Sequence, residues 1–130
     1  MEDWVFVDTC IWVSFFTRQN SREKLAVDDL LARDRVALVG PVVAEVLRGF
    51  RRREQGDWAG SRLRLAHYIT ADWDDWRHAA DLGREQAKLG RDLPITDLVL
   101  AAVALRLDAY VYTSDPHFDG IEGLKRFWPH

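Results

Sequence analysis

Apolar positions along the chain alternate between short β-prone runs and longer stretches spaced for a helix. The runs WVFV (4–7), VALV (36–39), HYIT (67–70) and AYVYT (109–113) are rich in β-branched and aromatic residues and read as strands. Residues 20–34 carry Val27, Leu30 and Leu31 at helical spacing, with Asn20 as the expected cap and Glu23 three positions on. Gly40-Pro41 opens another helix, since proline is preset for a first turn, and Val42, Val43, Val46, Leu47 and Phe50 form its apolar face. A weaker helix is expected over 57–66. The stretch 73–89 puts Trp73, Trp76, Ala80, Gly83 and Ala87 on one stripe and stops at Gly90. In LPITDLVLAAVALRL, Thr96 is the expected cap of an almost wholly apolar helix that has to be buried on most sides.

Strands separated by helices cannot be simple hairpins. They imply parallel pairing with helices on both faces of a sheet, an α/β architecture. No repeat and no Gly/Ser or Pro tract interrupts the chain, so residues 1–130 read as a single domain. Ligands of open parallel sheets sit outside the carboxyl ends of the strands. Asp8 falls at one such end, after WVFV, and Asp115 at another, after AYVYT.

Composition narrows the picture. At 130 residues, 48% hydrophobic and 30% charged, the chain is an ordinary globule with enough length for a real core. The lone Cys10 has no internal disulfide partner and no zinc-ribbon company, which fits a reducing cytoplasm. Glu2 and Asp3 stand where a secretory signal would be positive. The longest apolar run, Leu98 to Leu105, is far short of a membrane span, so no membrane partner is expected. A net charge of −3 gives no general attraction to nucleic acid; such binding would need a local basic surface or a metal.

Four acids carry the candidate chemistry. Asp8 lies between two apolar runs, poorly solvated unless paired, or else capping a helix that starts near Thr9. Glu45, one turn inside the helix of PVVAEVLRGF, lies on the border of its apolar face, where dipole compensation also accounts for it. Asp97 opens the buried helix after Thr96, and Asp115 precedes Pro116 in what could be a plain turn. A parallel α/β fold brings all four to one edge of the sheet. Two carboxylates ~4 Å apart repel by roughly 1–4 kcal/mol, which a hard divalent cation offsets while using every oxygen. An all-carboxylate set suits Mg²⁺ or Mn²⁺ rather than zinc, which favours His or Cys.

With VFVDTCIW, PVVAEVLRGF, LPITDLVLAAVAL and VYTSDPHF in that order, nearly the whole chain resembles the PIN-domain ribonucleases, and among them the VapC-type toxins of prokaryotic toxin–antitoxin pairs. The resemblance implies a three-layer α/β/α sandwich with a mainly parallel sheet, and a metal-dependent endoribonuclease. It matches Asp8, Glu45, Asp97 and Asp115 to the family's acidic quartet and Thr113 to the hydroxyl residue two positions before the last acid. A small antitoxin partner and a homodimer are also implied. Pro116 and His117 depart from the polar residues common after the last acid, which leaves the role of His117 open.

In such a site Asp8 and Asp97 are the expected metal ligands, with Glu45 and Asp115 binding a second metal or holding water; Glu45 is also a reasonable general base. An acidic pocket repels RNA unless a basic rim counters it. Arg48, Arg51, Arg52, Arg53, Arg62 and Arg64 supply one against only Glu54 and Asp57, although Arg outnumbers Lys throughout the chain. Trp73 and Trp76 are expected in core or interface and Trp58 more exposed. Haloacid-dehalogenase-type phosphatases need a second acid where Cys10 stands, and receiver domains need a lysine that Tyr112-Thr113-Ser114 does not offer. The rival from another class is a non-catalytic acidic-pocket module that binds a protein or nucleic-acid partner.

Overall fold

The computed structural model describes residues 3–129. Five strands, β1 (Val5–Val7), β2 (Val36–Val39), β3 (His67–Ile69), β4 (Tyr110–Tyr112) and β5 (Lys125–Arg126), form one all-parallel sheet in the order β3-β2-β1-β4-β5. Among the described residues six helices flank it: α1 (Thr9–Thr17), α2 (Arg22–Ala32), α3 (Gly40–Arg48), α4 (Arg53–Leu63), α5 (Trp73–Lys88) and α6 (Ile95–Arg106). A sheet covered on both faces needs continuously apolar central strands, and every residue of β1 and β2 is buried. The expected three-layer α/β/α sandwich is therefore what the chain forms. Among the described residues no helix is long and apolar enough to cross a membrane.

The first four strands fall where the apolar runs put them, within a residue or so at the ends. Strand β5 was not anticipated, because Lys125-Arg126 carries no apolar signal and is held by its pairing with Tyr110 and Val111. Two caps and one set of helix bounds also differ from expectation. Ser21, not Asn20, caps α2, its hydroxyl accepting from the Lys24 amide at 3.0 Å, which leaves Glu23 out of a capping box. Helix α6 starts after Pro94, whose carbonyl takes the Leu98 amide at 3.2 Å, so Thr96 lies inside the first turn and caps nothing. Helix α4 begins at Arg53, four residues ahead of the expected start at 57, and ends at Leu63.

The largest correction concerns α5. Its inner face is Asp75, Ala79, Leu82 and Gln86, while Trp73 is 80% exposed and Trp76 45%. Asp72 and Asp75 cap the helix reciprocally, each side chain accepting the other's amide, which fixes its rotation. Arg106 from α6 then forks onto Asp75 with both nitrogens, at 2.8 and 2.9 Å. A buried carboxylate is tolerated only when paired and hydrogen-bonded in this way. A reading that scores apolar positions alone cannot see a polar inner face and turns the helix toward its tryptophans. Where α5 crosses α6, a Cβ on Gly83 would meet the Leu98 side chain at 3.1 Å, so glycine permits the close approach.

Arg106 and the Asp72 amide hold the Asp75 carboxyl below its ordinary range despite burial, which alone would raise it. A depressed folded-state pKa contributes stability above the unfolded value, lost as pH falls through the folded one. Asp75→Ala is expected to cost about 2–4 kcal/mol in urea unfolding at pH 7, because Arg106 is left unpaired. That loss should shrink below pH 4. Trp73→Ser should cost under ~0.5 kcal/mol, as a solvent-facing residue does.

Candidate active site at the acidic edge of the sheet

Strands β1 and β4 are neighbours, and the chain leaves both at the same edge with Asp8 and Thr113–Asp115. The Asp8 amide donates to the Tyr112 carbonyl at 2.9 Å, tying the two exits together. Asp8 does both things that sequence left open. Its Oδ1 caps α1 by accepting from the Thr9 amide at 2.8 Å, while Oδ2 accepts from the Thr113 hydroxyl at 2.8 Å. Burial raises the Asp8 pKa, opposed in order by Thr113, the Thr9 amide and Cys10, and reinforced by the charge of Asp115.

Helix α3 starts directly after β2 and runs back from this edge, which places Glu45 one turn inside. Its Oε1 accepts from the Thr9 hydroxyl at 2.8 Å. Asp115 caps a 3-10 turn, Pro116–Gly120, through the His117 amide at 2.9 Å, and its own amide donates to the Thr113 hydroxyl at 3.0 Å. The His117 ring stands against the same carboxylate, Nδ1 to Oδ1 at 2.9 Å. Thr113 is 2% exposed, and its hydroxyl has one role toward each acid: donor to Asp8, acceptor from Asp115.

Asp97, the third residue of α6, is 8% exposed and held by no described hydrogen-bond donor. Burial first, then the charges of Asp8, Asp115 and Glu45, push its pKa up to about 7, with His117 opposing. Asp97 thus lies within electrostatic reach of the other three acids that sequence singled out. Thr9 was missed, although its position directly after Asp8 at the start of a helix was a usable signal. Cys10 was not read as a neighbour of the acids, yet its Sγ lies 3.6 Å from Asp8 Oδ2 and accepts from Ser114 Oγ at 3.2 Å.

Among the described residues no three His, Cys, Asp or Glu side chains converge closely enough to hold a metal ion as they stand. The donor chemistry nonetheless fits a hard cation: oxygen ligands only, mutually repelling, with the most strained of them unclaimed by any donor.

The arginines do not enter the acidic cluster. Arg48, Arg51, Arg52 and Arg53 are exposed, with Arg52 and Arg53 each 4.0 Å from Glu54 and Asp57 respectively. Arg51 and Arg52 border an open cavity of about 700 Å³ whose apolar wall includes Val13, Phe16, Val46, Phe50 and Trp58. Trp58 is half-exposed, as anticipated, with the Arg62 guanidinium 5.9 Å from its ring centre.

A parallel α/β/α sandwich that gathers carboxylates where its central strands end defines a class, and the chain's place within that class follows from comparison. Residues 5–124 match the PIN domain family model, and the chain belongs to that family. The fold superposes on VapBC2 from Rickettsia felis, solved bound to a promoter DNA fragment, with a TM-score of 0.81 at 20% identity, covering 95% of this chain and 98% of that one. VapC20 of Mycobacterium tuberculosis, a sarcin–ricin-loop-cleaving toxin, gives 0.72 at 18% over 95% and 98%. VapBC-5 from the same organism gives 0.67 at 27% over 97% and 100%. A search of the curated proteins found no match.

A carboxyl whose pKa is raised on folding makes the folded state bind more protons than the unfolded chain. Metal-free stability should therefore fall as pH rises from about 4 to 7 and level off above, where Asp97 is charged in both states. Asp97→Asn should remove much of that slope and be more stable than wild type at pH 8 by about 1–2 kcal/mol, as urea unfolding in a chelating buffer would record. A variant less stable than wild type at pH 8 would contradict the electrostatic reading.

Proposed function

We propose that this protein is an endoribonuclease that hydrolyses RNA phosphodiester bonds with Mg²⁺ or Mn²⁺, and that it is the toxin of a VapBC-type toxin–antitoxin pair. The observation that carries the reading is Asp97, buried, without a hydrogen-bond donor among the described residues and pressed by three other carboxylates. Burial and like charge make a charged Asp97 costly, a cost that a cation would offset. Membership of the PIN domain family and likeness of fold to VapC20, a sarcin–ricin-loop-cleaving toxin, support the same activity.

Asp8 and Asp97 would hold the ion, with Glu45 and Asp115 taking a second ion or a water. Such an ion lowers the pKa of a bound water and neutralises charge on the phosphoryl oxygens. The chain's own residues set the ligands. The Thr113 hydroxyl orients one oxygen of Asp8 while the Thr9 amide holds the other, leaving lone pairs on both for an ion. The Thr9 hydroxyl holds Glu45, which would take a proton from an attacking water. Arg48, Arg51, Arg52 and Arg53 offer phosphate contacts outside the acidic cluster, countering the long-range repulsion of a chain with net charge −3.

The partner in this reading is a small antitoxin. The cavity between Phe16, Phe50 and Trp58 suits the apolar face of a short helix, and its arginine border suits acidic flanks. VapBC2, VapBC-5 and the other neighbours named in toxin–antitoxin complexes favour this over a lone enzyme. A homodimer in the cytoplasm completes the proposal.

Purified protein should cleave single-stranded RNA only with Mg²⁺ or Mn²⁺, and Asp97→Asn should abolish cleavage while its circular dichroism stays unchanged. Undiminished cleavage by that variant would overturn the assigned roles; metal-independent RNA binding without cleavage would favour the non-catalytic module. In thermal melts, Mg²⁺ at 100 times its dissociation constant should stabilise wild type by about 2.7 kcal/mol and Asp8→Asn much less. Equal shifts would remove Asp8 from the ligands.

A further inference from the structure

The segment from Thr113 to Asp119 carries Asp115 and the hydroxyl that orients Asp8, yet it has no regular helix or strand to hold it beyond one 3-10 turn. Its position is set from outside. Arg126, on the short strand β5, donates from Nη2 to the Thr113 carbonyl at 2.9 Å. Its Nη1 pairs with Asp119, near the end of the same segment. The side chain is only 10% exposed, and its guanidinium lies 4.7 Å from the Trp128 ring centre. Strand β5 is itself anchored, with Arg126 in register with Val111 and the Phe127 amide donating to the Val111 carbonyl at 2.9 Å.

We propose that Arg126 is a positioning residue for the candidate metal site, clamping the segment at Thr113 and at Asp119 so that the Thr113 hydroxyl and the Asp115 carboxylate are presented together. The inference rests on the metal-site reading above. A guanidinium is costly to desolvate, and Arg126 Nε has no hydrogen-bond partner among the described residues, so the two terminal nitrogens carry the compensation. A planar fork with donors on both terminal nitrogens can draw together two acceptors six positions apart in sequence, whereas a lysine ammonium is one point charge. The connection runs from Arg126 through the Thr113 backbone to its hydroxyl, and from there to Asp8 on one side and the Asp115 amide on the other. Outer partners of metal ligands typically contribute 10–100-fold in affinity. Arg126 acts one link further out, so a smaller effect of about 3–10-fold is expected.

The test compares wild type with Arg126→Met, Arg126→Lys and Asp119→Asn. Mn²⁺ binding is measured by titration calorimetry, and amide hydrogen exchange is followed by NMR on metal-free protein. In Arg126→Met the amides of Asp115 and His117 should exchange at least ~10-fold faster, with those of α5 and α6 unchanged, since only the local opening changes. Its Mn²⁺ dissociation constant should rise about 3–10-fold. Arg126→Lys, which keeps a partner for Asp119, should recover part of both losses. Asp119→Asn alters an exposed carboxylate, so it folds even if Arg126→Met does not, and it should move both readouts in the same direction. Folded variants that bind Mn²⁺ as wild type does would overturn the clamp, leaving Arg126 a purely structural ion pair. Failure of wild type itself to bind Mn²⁺ would overturn the metal-site reading, and the clamp's role with it.

Discussion

Repulsion among carboxylates at the carboxyl edge of the sheet is the constraint around which the rest of this molecule is arranged. Asp97 feels Asp8, Asp115 and Glu45 at once while it is largely out of water, and its proton is held up to about 7 as a result. Folding alone does not remove that cost. The neighbouring acids are eased by hydroxyls and amides from the chain: Thr113 and Thr9 on Asp8, Thr9 on Glu45, His117 on Asp115. Asp97 receives nothing comparable. Among the described residues three of the acids are hydrogen-bonded and Asp97 is not, an imbalance that a cation would offset.

Parallel topology makes the crowding possible. Strands β1 and β4 lie side by side and end level, so Asp8 and Asp115 leave the sheet together, while α3 and α6 begin at the same edge and carry Glu45 and Asp97 within their first two turns. Elsewhere the fold deals with charge in the opposite way. Asp75 is buried too, but Arg106 meets it with two hydrogen bonds and its pKa falls rather than rises. One carboxylate is fully answered and serves the helix pair α5 and α6. The other is left unanswered at the edge where ligands of such sheets bind.

What the sequence disclosed and what it hid divide along the same physical lines. Strands β1, β2 and β4 are buried on both faces, so they appear as unbroken apolar runs; the acids after them break those runs and were visible for that reason. The rotation of α5 was hidden, because its inner face is defined by a cap and an ion pair between Asp75 and Arg106, residues far apart in sequence. Strand β5 was hidden because two charged residues held by backbone pairing have no hydrophobic signature. Thr9 and Arg126 were hidden as contributors to the site since each acts on an acid or a segment through a contact that only the folded chain creates.

The account is tested most directly by titrating the Asp97 side-chain carboxyl, followed through its carbon chemical shift by NMR, in chelated buffer and again with saturating Mg²⁺. The account requires a midpoint near 7 without metal and a fall to the ordinary carboxylate range or below once the ion is bound, because a divalent charge reverses the local electrostatics. A midpoint near 4 in chelated buffer, or one that Mg²⁺ leaves unmoved, would contradict it.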